Sequence, residues 1–141
     1  SLIFEVEPYL RSIEVTLDFA AEMKRKYNFQ LRELNVGGGF AIQYVLDSPA
    51  PPISFYAEAI VSRVISKCQE LKLALPRLIV EPGRAIVGRA GVALYRVGVV
   101  KDIPGVRCYV SVDGGMADNI RPALYGSKYE AVVANKVSEK G

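Results

Sequence analysis

Leu31-Arg32-Glu33-Leu34-Asn35-Val36 runs straight into Gly37-Gly38-Gly39, and Leu78-Ile79-Val80-Glu81 runs straight into Pro82-Gly83. Each is a short strand-like run that stops at a turn signal, so the two predict strands whose ends carry special backbone. Between them Ala57, Ile60, Val61, Val64, Ile65, Cys68 and Leu71 recur at the i, i+3, i+4, i+7 spacing of an amphipathic helix, with Ser54 placed to cap it. Strand, helix and strand on short links predict a parallel βαβ unit, because parallel neighbours need a crossover and a helix is the usual one.

Working outward, Leu10, Ile13, Leu17, Ala20 and Ala21 repeat at helical spacing between Pro8 and Tyr27, and proline suits a first helical turn. Asp47-Ser48-Pro49-Ala50-Pro51-Pro52 is a loop, since three prolines remove amide donors and restrict the residues before them. Beyond Gly88 the texture changes to β-branched and aromatic runs, Val92 to Val100 and Tyr109 to Val112, around a Pro104-Gly105 turn. That predicts antiparallel hairpin chemistry. The expected organisation is an α/β part over residues 1–87 and the start of a β domain over residues 88–141. No internal repeat or low-complexity segment interrupts either part.

Composition excludes several function classes. The chain has no histidine, which rules out within it a Ser-His-Asp triad, a histidine zinc site and a histidine base. Cys68 and Cys108 lack the short paired spacing of a metal or redox motif, so no metal is expected and both thiols are expected to be buried or half-buried in a reducing compartment. A net charge of +3, with basic and acidic residues interleaved, argues against a nucleic-acid surface. No stretch approaches the ~20 apolar residues of a membrane span, and the start lacks a signal-peptide pattern. The chain is therefore read as soluble. It begins Ser1-Leu2-Ile3 without a methionine and ends Glu139-Lys140-Gly141, which is read as two cuts through a longer protein.

Three constellations could carry chemistry. Gly37-Gly38-Gly39 permits positive φ angles and close approach of backbone amides to an oxyanion such as phosphate, although a plain tight turn fits the same residues. The dinucleotide fingerprint does not fit, because prolines precede the next helix. Glu81-Pro82-Gly83-Arg84 ends the second strand and so brings a carboxylate and a guanidinium to the same end of a parallel sheet, where (β/α)8 barrels bind their ligands; a surface Glu–Arg pair is the alternative. Asp113-Gly114-Gly115-Met116-Ala117-Asp118-Asn119-Ile120-Arg121-Pro122-Ala123-Leu124-Tyr125 opens on glycines and leads to an arginine and a tyrosine four residues apart. Arginine suits bidentate recognition of a carboxylate, and a structural loop is the competing reading.

In this order and spacing the three stretches resemble the fold-type III pyridoxal-phosphate-dependent decarboxylases over nearly the whole chain. Asn35-Val36-Gly37-Gly38-Gly39-Phe40 resembles the family's phosphate-binding loop, and Glu81-Pro82-Gly83-Arg84 is identical to its second cofactor signature. Gly115-Met116, Asp118 and Ile120 to Tyr125 resemble the diaminopimelate branch of the family, whereas ornithine decarboxylases lack the Arg-Pro-Ala-Leu-Tyr run.

This resemblance implies a partial (β/α)8 TIM barrel, its C-terminal strands and helices, followed by the start of a β domain. It implies pyridoxal 5'-phosphate as cofactor, with Gly37, Gly38, Gly39, Glu81, Pro82, Gly83 and Arg84 around it: the glycines at the phosphate and Glu81 at the pyridine nitrogen. Arg84, Arg121 and Tyr125 would meet an amino-acid substrate, with the arginines at the distal carboxylate that diaminopimelate has and ornithine lacks. The implied reaction converts meso-2,6-diaminopimelate to L-lysine and carbon dioxide, in a cytoplasmic enzyme that is a homodimer when intact. No segment matches the surroundings of the family's cofactor-bearing lysine, and its histidine motif and catalytic cysteine segment are also missing. No catalytic residue is therefore assigned, and the chain alone is expected to be inactive. The alternatives are a related decarboxylase of arginine, ornithine or carboxynorspermidine, and a non-catalytic cofactor- or phosphate-binding fragment.

Overall fold

Helix α1, Glu7–Tyr27, starts with Pro8 in its first turn and an acidic residue, Glu7, where the helix dipole favours negative charge. It ends with Lys24, Arg25 and Lys26 in the last turn and with Asn28 in the left-handed region at φ 54°, whose amide donates to the Lys24 carbonyl. The face it buries is Tyr9, Ile13, Leu17 and Ala20. Tyr9 takes the inward place that the apolar periodicity assigns to Leu10, because its ring stacks on Phe40 at 5.2 Å between centroids. The computed structural model describes residues 2–138; Ser1 and residues 139–141, where the two cuts are expected, lie outside them.

Strand β1, Glu33–Gly38, pairs in parallel with β2, Arg77–Glu81, and helix α2, Ile53–Glu70, lies between them in the chain. This is the predicted βαβ unit, and the architecture is α/β. The residue before α2 is Pro52 in extended conformation, and no side chain caps the helix. The expectation for Ser54 is thus corrected: the helix already begins at Ile53, which places Ser54 inside its first turn. Tyr56, Ile60, Val64 and Cys68 form the buried stripe of α2. They meet α1, Leu34 and Phe40 in one hydrophobic cluster. Val61 and Ile65, on the neighbouring stripe, stay exposed. Arg63 to Glu14 at 2.8 Å and Lys67 to Asp18 at 3.0 Å link α2 to α1 along the rim, where ion pairs add little.

Two features depart from the local reading around the strand ends. β1 continues through Val36 into Gly37 and Gly38 instead of stopping before the glycines. After Glu81 the chain does not simply turn but enters a short helix, α3, Gly83–Val87. One compact unit runs through Ala90 and a second begins at Gly91.

In the second unit β3, Val97–Ile103, and β4, Arg107–Val112, pair antiparallel around Pro104-Gly105, with Gly105 at φ 73° as the turn requires. Val97 to Val100 faces Val112 to Val110, three steps against two, so β3 bulges there. The Ser111 hydroxyl accepts from the Val99 amide at 2.7 Å and donates to the Val99 carbonyl at 3.0 Å, satisfying backbone groups that the bulge takes out of the ladder. A short helix, α4, spans Arg121–Tyr125. Every buried hydrophobic residue among those described belongs to the first unit. Cys108 is accordingly exposed, which corrects the expectation that both cysteines are buried or half-buried: among the described residues its own unit has no buried hydrophobic core to take the thiol.

Candidate functional site

The C-terminal ends of β1 and β2 place the glycines and Glu81 side by side. From Asn35 to Gly38 β1 advances three residues while β2 advances two, from Ile79 to Glu81. The extra residue makes a bulge at the C-terminal end of the strand. Gly37, inside the bulge at φ 76°, and Gly39, just beyond it at φ 96°, both take the left-handed backbone that glycine allows. A side chain on Gly37 would meet nothing within 4 Å, so open space lies over the turn. A side chain on Gly38 would sit 2.1 Å from the Glu81 carbonyl oxygen, so glycine there sets the strand separation.

The turn is also held from its inner side. The Tyr9 hydroxyl donates to the Gly38 carbonyl at 2.9 Å, and the Ile3 amide donates to the Gly39 carbonyl at 2.8 Å. Tyr56 in turn donates to the carbonyls of Ile3 and Phe4 at 2.8 and 3.1 Å. Burial pushes the Tyr9 and Tyr56 hydroxyl pKa values up, Tyr9 further through its neighbour Tyr56, so both are neutral donors near neutral pH.

Glu81 lies exposed at the end of β2, and Asn35 Nδ2 donates to its Oε1 at 2.6 Å. Asn35 faces Ile79 in register, and Glu81 shares that strand face two residues on. The Asn35 Oδ1 accepts from the Gly37 amide at 2.8 Å, so the first amide of the glycine run is engaged by an exposed side chain of its own strand. Pro82 precedes α3, Gly83 and Arg84 open it, and Arg84 is half-buried. Sequence reasoning assigned no role to Asn35 or Tyr9. The signal for Asn35 was a polar residue at the last regular position before the glycines; Tyr9 had no signal short of its tertiary partners. Near the site, an apolar hollow of about 230 Å³ between α2 and β2 is lined by residues including Phe40, Ile60, Val61 and Val80 and offers no acid–base group.

In the second unit the Asp113-to-Tyr125 stretch is an ordered turn and helix. Asp118 Oδ2 accepts from the Gly115 amide at 2.9 Å, and Asp113 Oδ1 accepts from the Arg96 amide at 2.7 Å. A side chain on Gly114 would overlap the Tyr95 ring, 2.0 Å away. Arg121 and Tyr125 share α4, with the guanidinium carbon 5.8 Å from the ring centroid. Arg121 Nε also donates to the Tyr129 hydroxyl at 3.1 Å. Its planar head is thereby oriented, which suits a carboxylate partner.

Among the described residues no three His, Cys, Asp or Glu side chains converge as a metal site, and no helix is long and apolar enough to cross a membrane. Burial pushes the Cys68 thiol pKa up, while Cys108 is exposed. A thiol reagent at neutral pH is therefore expected to modify Cys108 in the folded protein and Cys68 only after denaturation. Mass spectrometry of the alkylated peptides reads the order, and prompt labelling of Cys68 would contradict the packing described above.

Comparison with known proteins gives concordant matches. Residues 1–88 match the family described as pyridoxal-dependent decarboxylase, pyridoxal binding domain. The chain is 43% identical to the diaminopimelate decarboxylase of Bacillus methanolicus over 136 residues, which cover 96% of this chain and 32% of that protein. It is likewise 43% identical to the Bacillus subtilis diaminopimelate decarboxylase over 139 residues, covering 99% of this chain and 32% of that one. The crystal structure of diaminopimelate decarboxylase from M. jannaschii in co-complex with L-lysine has a TM-score of 0.81 and 33% identity, over 92% of this chain and 29% of that one. The chain spans about a third of the length of these relatives.

Proposed function

Because the chain belongs to the pyridoxal-dependent decarboxylases, matched over residues 1–88, we propose that it supplies part of the cofactor and substrate site of an enzyme that converts meso-2,6-diaminopimelate to L-lysine and carbon dioxide. The observation that carries this reading is the glycine bulge at the end of β1 beside the Glu81 carboxylate at the end of β2. The residues fit pyridoxal 5'-phosphate: open space over a turn of left-handed glycines suits a phosphate, and a neighbouring carboxylate suits a protonated ring nitrogen. When bound, that cofactor supplies an electron sink for the pair left behind when carbon dioxide departs.

The roles of the chain's own residues follow. Gly37, Gly38 and Gly39 shape the phosphate turn, with Gly37 providing the bend while its own amide serves Asn35. Glu81 would hold a proton on the ring nitrogen of the bound cofactor. Pro82 and Gly83 carry the chain from that carboxylate to Arg84. Arg84, Arg121 and Tyr125 bind the substrate, the arginines through its distal carboxylate. We read the first unit as consecutive strand–helix pairs of a (β/α)8 barrel, supported by the parallel β1–β2 pairing and by polar groups at the C-terminal strand ends. The same reading takes residues 88–141 as the start of a β domain and the enzyme as a cytoplasmic homodimer.

The test is carbon dioxide release by the full-length protein with pyridoxal 5'-phosphate. Release from meso-diaminopimelate and not from ornithine is expected, with Arg121→Ala lowering kcat/KM by roughly 10- to 100-fold, the worth of a hydrogen-bonded charge. Release from ornithine alone would overturn the substrate and leave the cofactor reading standing.

A further inference from the structure

We propose that Asn35 is a positioning residue that sets the two halves of the cofactor site against each other; the inference rests on the reading of Glu81 as the partner of the ring nitrogen. One side-chain amide makes both links: Oδ1 accepts from the Gly37 amide at 2.8 Å and Nδ2 donates to Glu81 Oε1 at 2.6 Å. The task demands an amide, because a carboxylate cannot donate and an ammonium cannot accept.

Its place in the fold suits the task. Asn35 is the last residue of β1 in regular register before the bulge, so its side chain stands where the ladder stops fixing the backbone. The bond to Gly37 closes a two-residue turn that replaces the lost ladder contact. The bond to Glu81 removes rotamer freedom from an exposed carboxylate that packing does not confine. A carboxylate held by one oxygen loses less entropy when the other is engaged, so the site is preorganised for the ring. The same side chain thus couples the phosphate end of the site to the nitrogen end.

Asn35→Asp separates the two links: it keeps the acceptor for Gly37 and puts a carboxylate against Glu81. Asn35→Ala removes both. Binding is measured by absorbance titration of the full-length protein with pyridoxal 5'-phosphate and with its analogue bearing C–H in place of the ring nitrogen. Asn35→Asp is expected to weaken pyridoxal 5'-phosphate roughly tenfold and the analogue little, since only the hydrogen bond to the charged Glu81 is lost, and Asn35→Ala to weaken both, since the bond that shapes the Gly37 turn is lost as well. A cofactor-free readout accompanies it. In ¹⁵N spectra the Asn35 side-chain amide resonances should move in Glu81→Gln, and the Gly37 amide should exchange faster in Asn35→Ala but not in Asn35→Asp. Equal weakening of both ligands by Asn35→Asp, or Asn35 resonances indifferent to Glu81→Gln, would overturn the proposal. Equal binding of the two ligands to the unsubstituted protein would instead overturn the ring-nitrogen reading, while the resonances still decide whether Asn35 holds Glu81.

Discussion

Gly38→Ala is expected to destabilise the protein by about 3 kcal/mol, at the upper end of what overpacking costs, and to loosen the end of the β1–β2 pair. The new methyl would lie 2.1 Å from the Glu81 carbonyl oxygen and 3.1 Å from its carbon, atoms of a backbone that cannot swing aside as a side chain can. Relief requires moving the strands apart where the site is built. Gly37→Ala is the informative comparison. Its methyl meets open space, so only the left-handed backbone opposes it, a cost of about 1–2 kcal/mol. Urea unfolding of the two variants in the full-length protein measures the difference. A Gly38→Ala protein as stable as the parent would mean that the strands are not this close.

Tyr56→Ala is expected to cost about 3–5 kcal/mol, the range for deleting a large buried ring. Tyr56 is fully buried, and its ring meets Tyr9 and Phe40 edge-on with centroids 6.0 and 5.4 Å away. Its hydroxyl serves a second purpose, donating to Ile3 and Phe4, whose segment in turn donates to Gly39. Tyr56→Phe isolates that purpose and is expected to cost about 1–1.5 kcal/mol, one net hydrogen bond. It should also raise the exchange rate of the Ile3 amide. Thermal unfolding together with amide exchange separates ring from hydroxyl. Unchanged Ile3 exchange in Tyr56→Phe would show that the hydroxyl does not hold that segment.

What the sequence made legible was whatever depends on local periodicity and on punctuation. Ile13, Leu17 and Ala20 marked the inner face of α1, and Ile60, Val64 and Cys68 that of α2. The glycines and Glu81 ended strands at one edge of a parallel pair, and Pro104-Gly105 turned the hairpin. What was not legible depends on partners distant in sequence. Leu10 and Tyr9 are equivalent to a periodicity argument until Phe40 is known to lie where only the ring stacks. Ser54 satisfied the composition of a cap, but the helix began two residues before the start that such a cap implies. Cys108 sits in an apolar run that reads as buried, yet burial needs a covering layer and not just apolar neighbours. The two bonds of Asn35 were hidden because they exist only once the register of β1 on β2 is set.

That register also imposes an order on folding. Asn35 and Glu81 lie 46 positions apart, and parallel strands cannot meet through a local turn, so their contact must await the crossover through α2 that connects them. Closing such a loop spends chain entropy before any strand pairing returns it, which makes distant pairings slow to form. The helices can therefore be in place while the glycine turn and the Glu81 carboxylate are still apart. In refolding, helical signal should recover before the protection of the β1–β2 amides does, so the glycine turn and Glu81 are among the last parts the chain brings together.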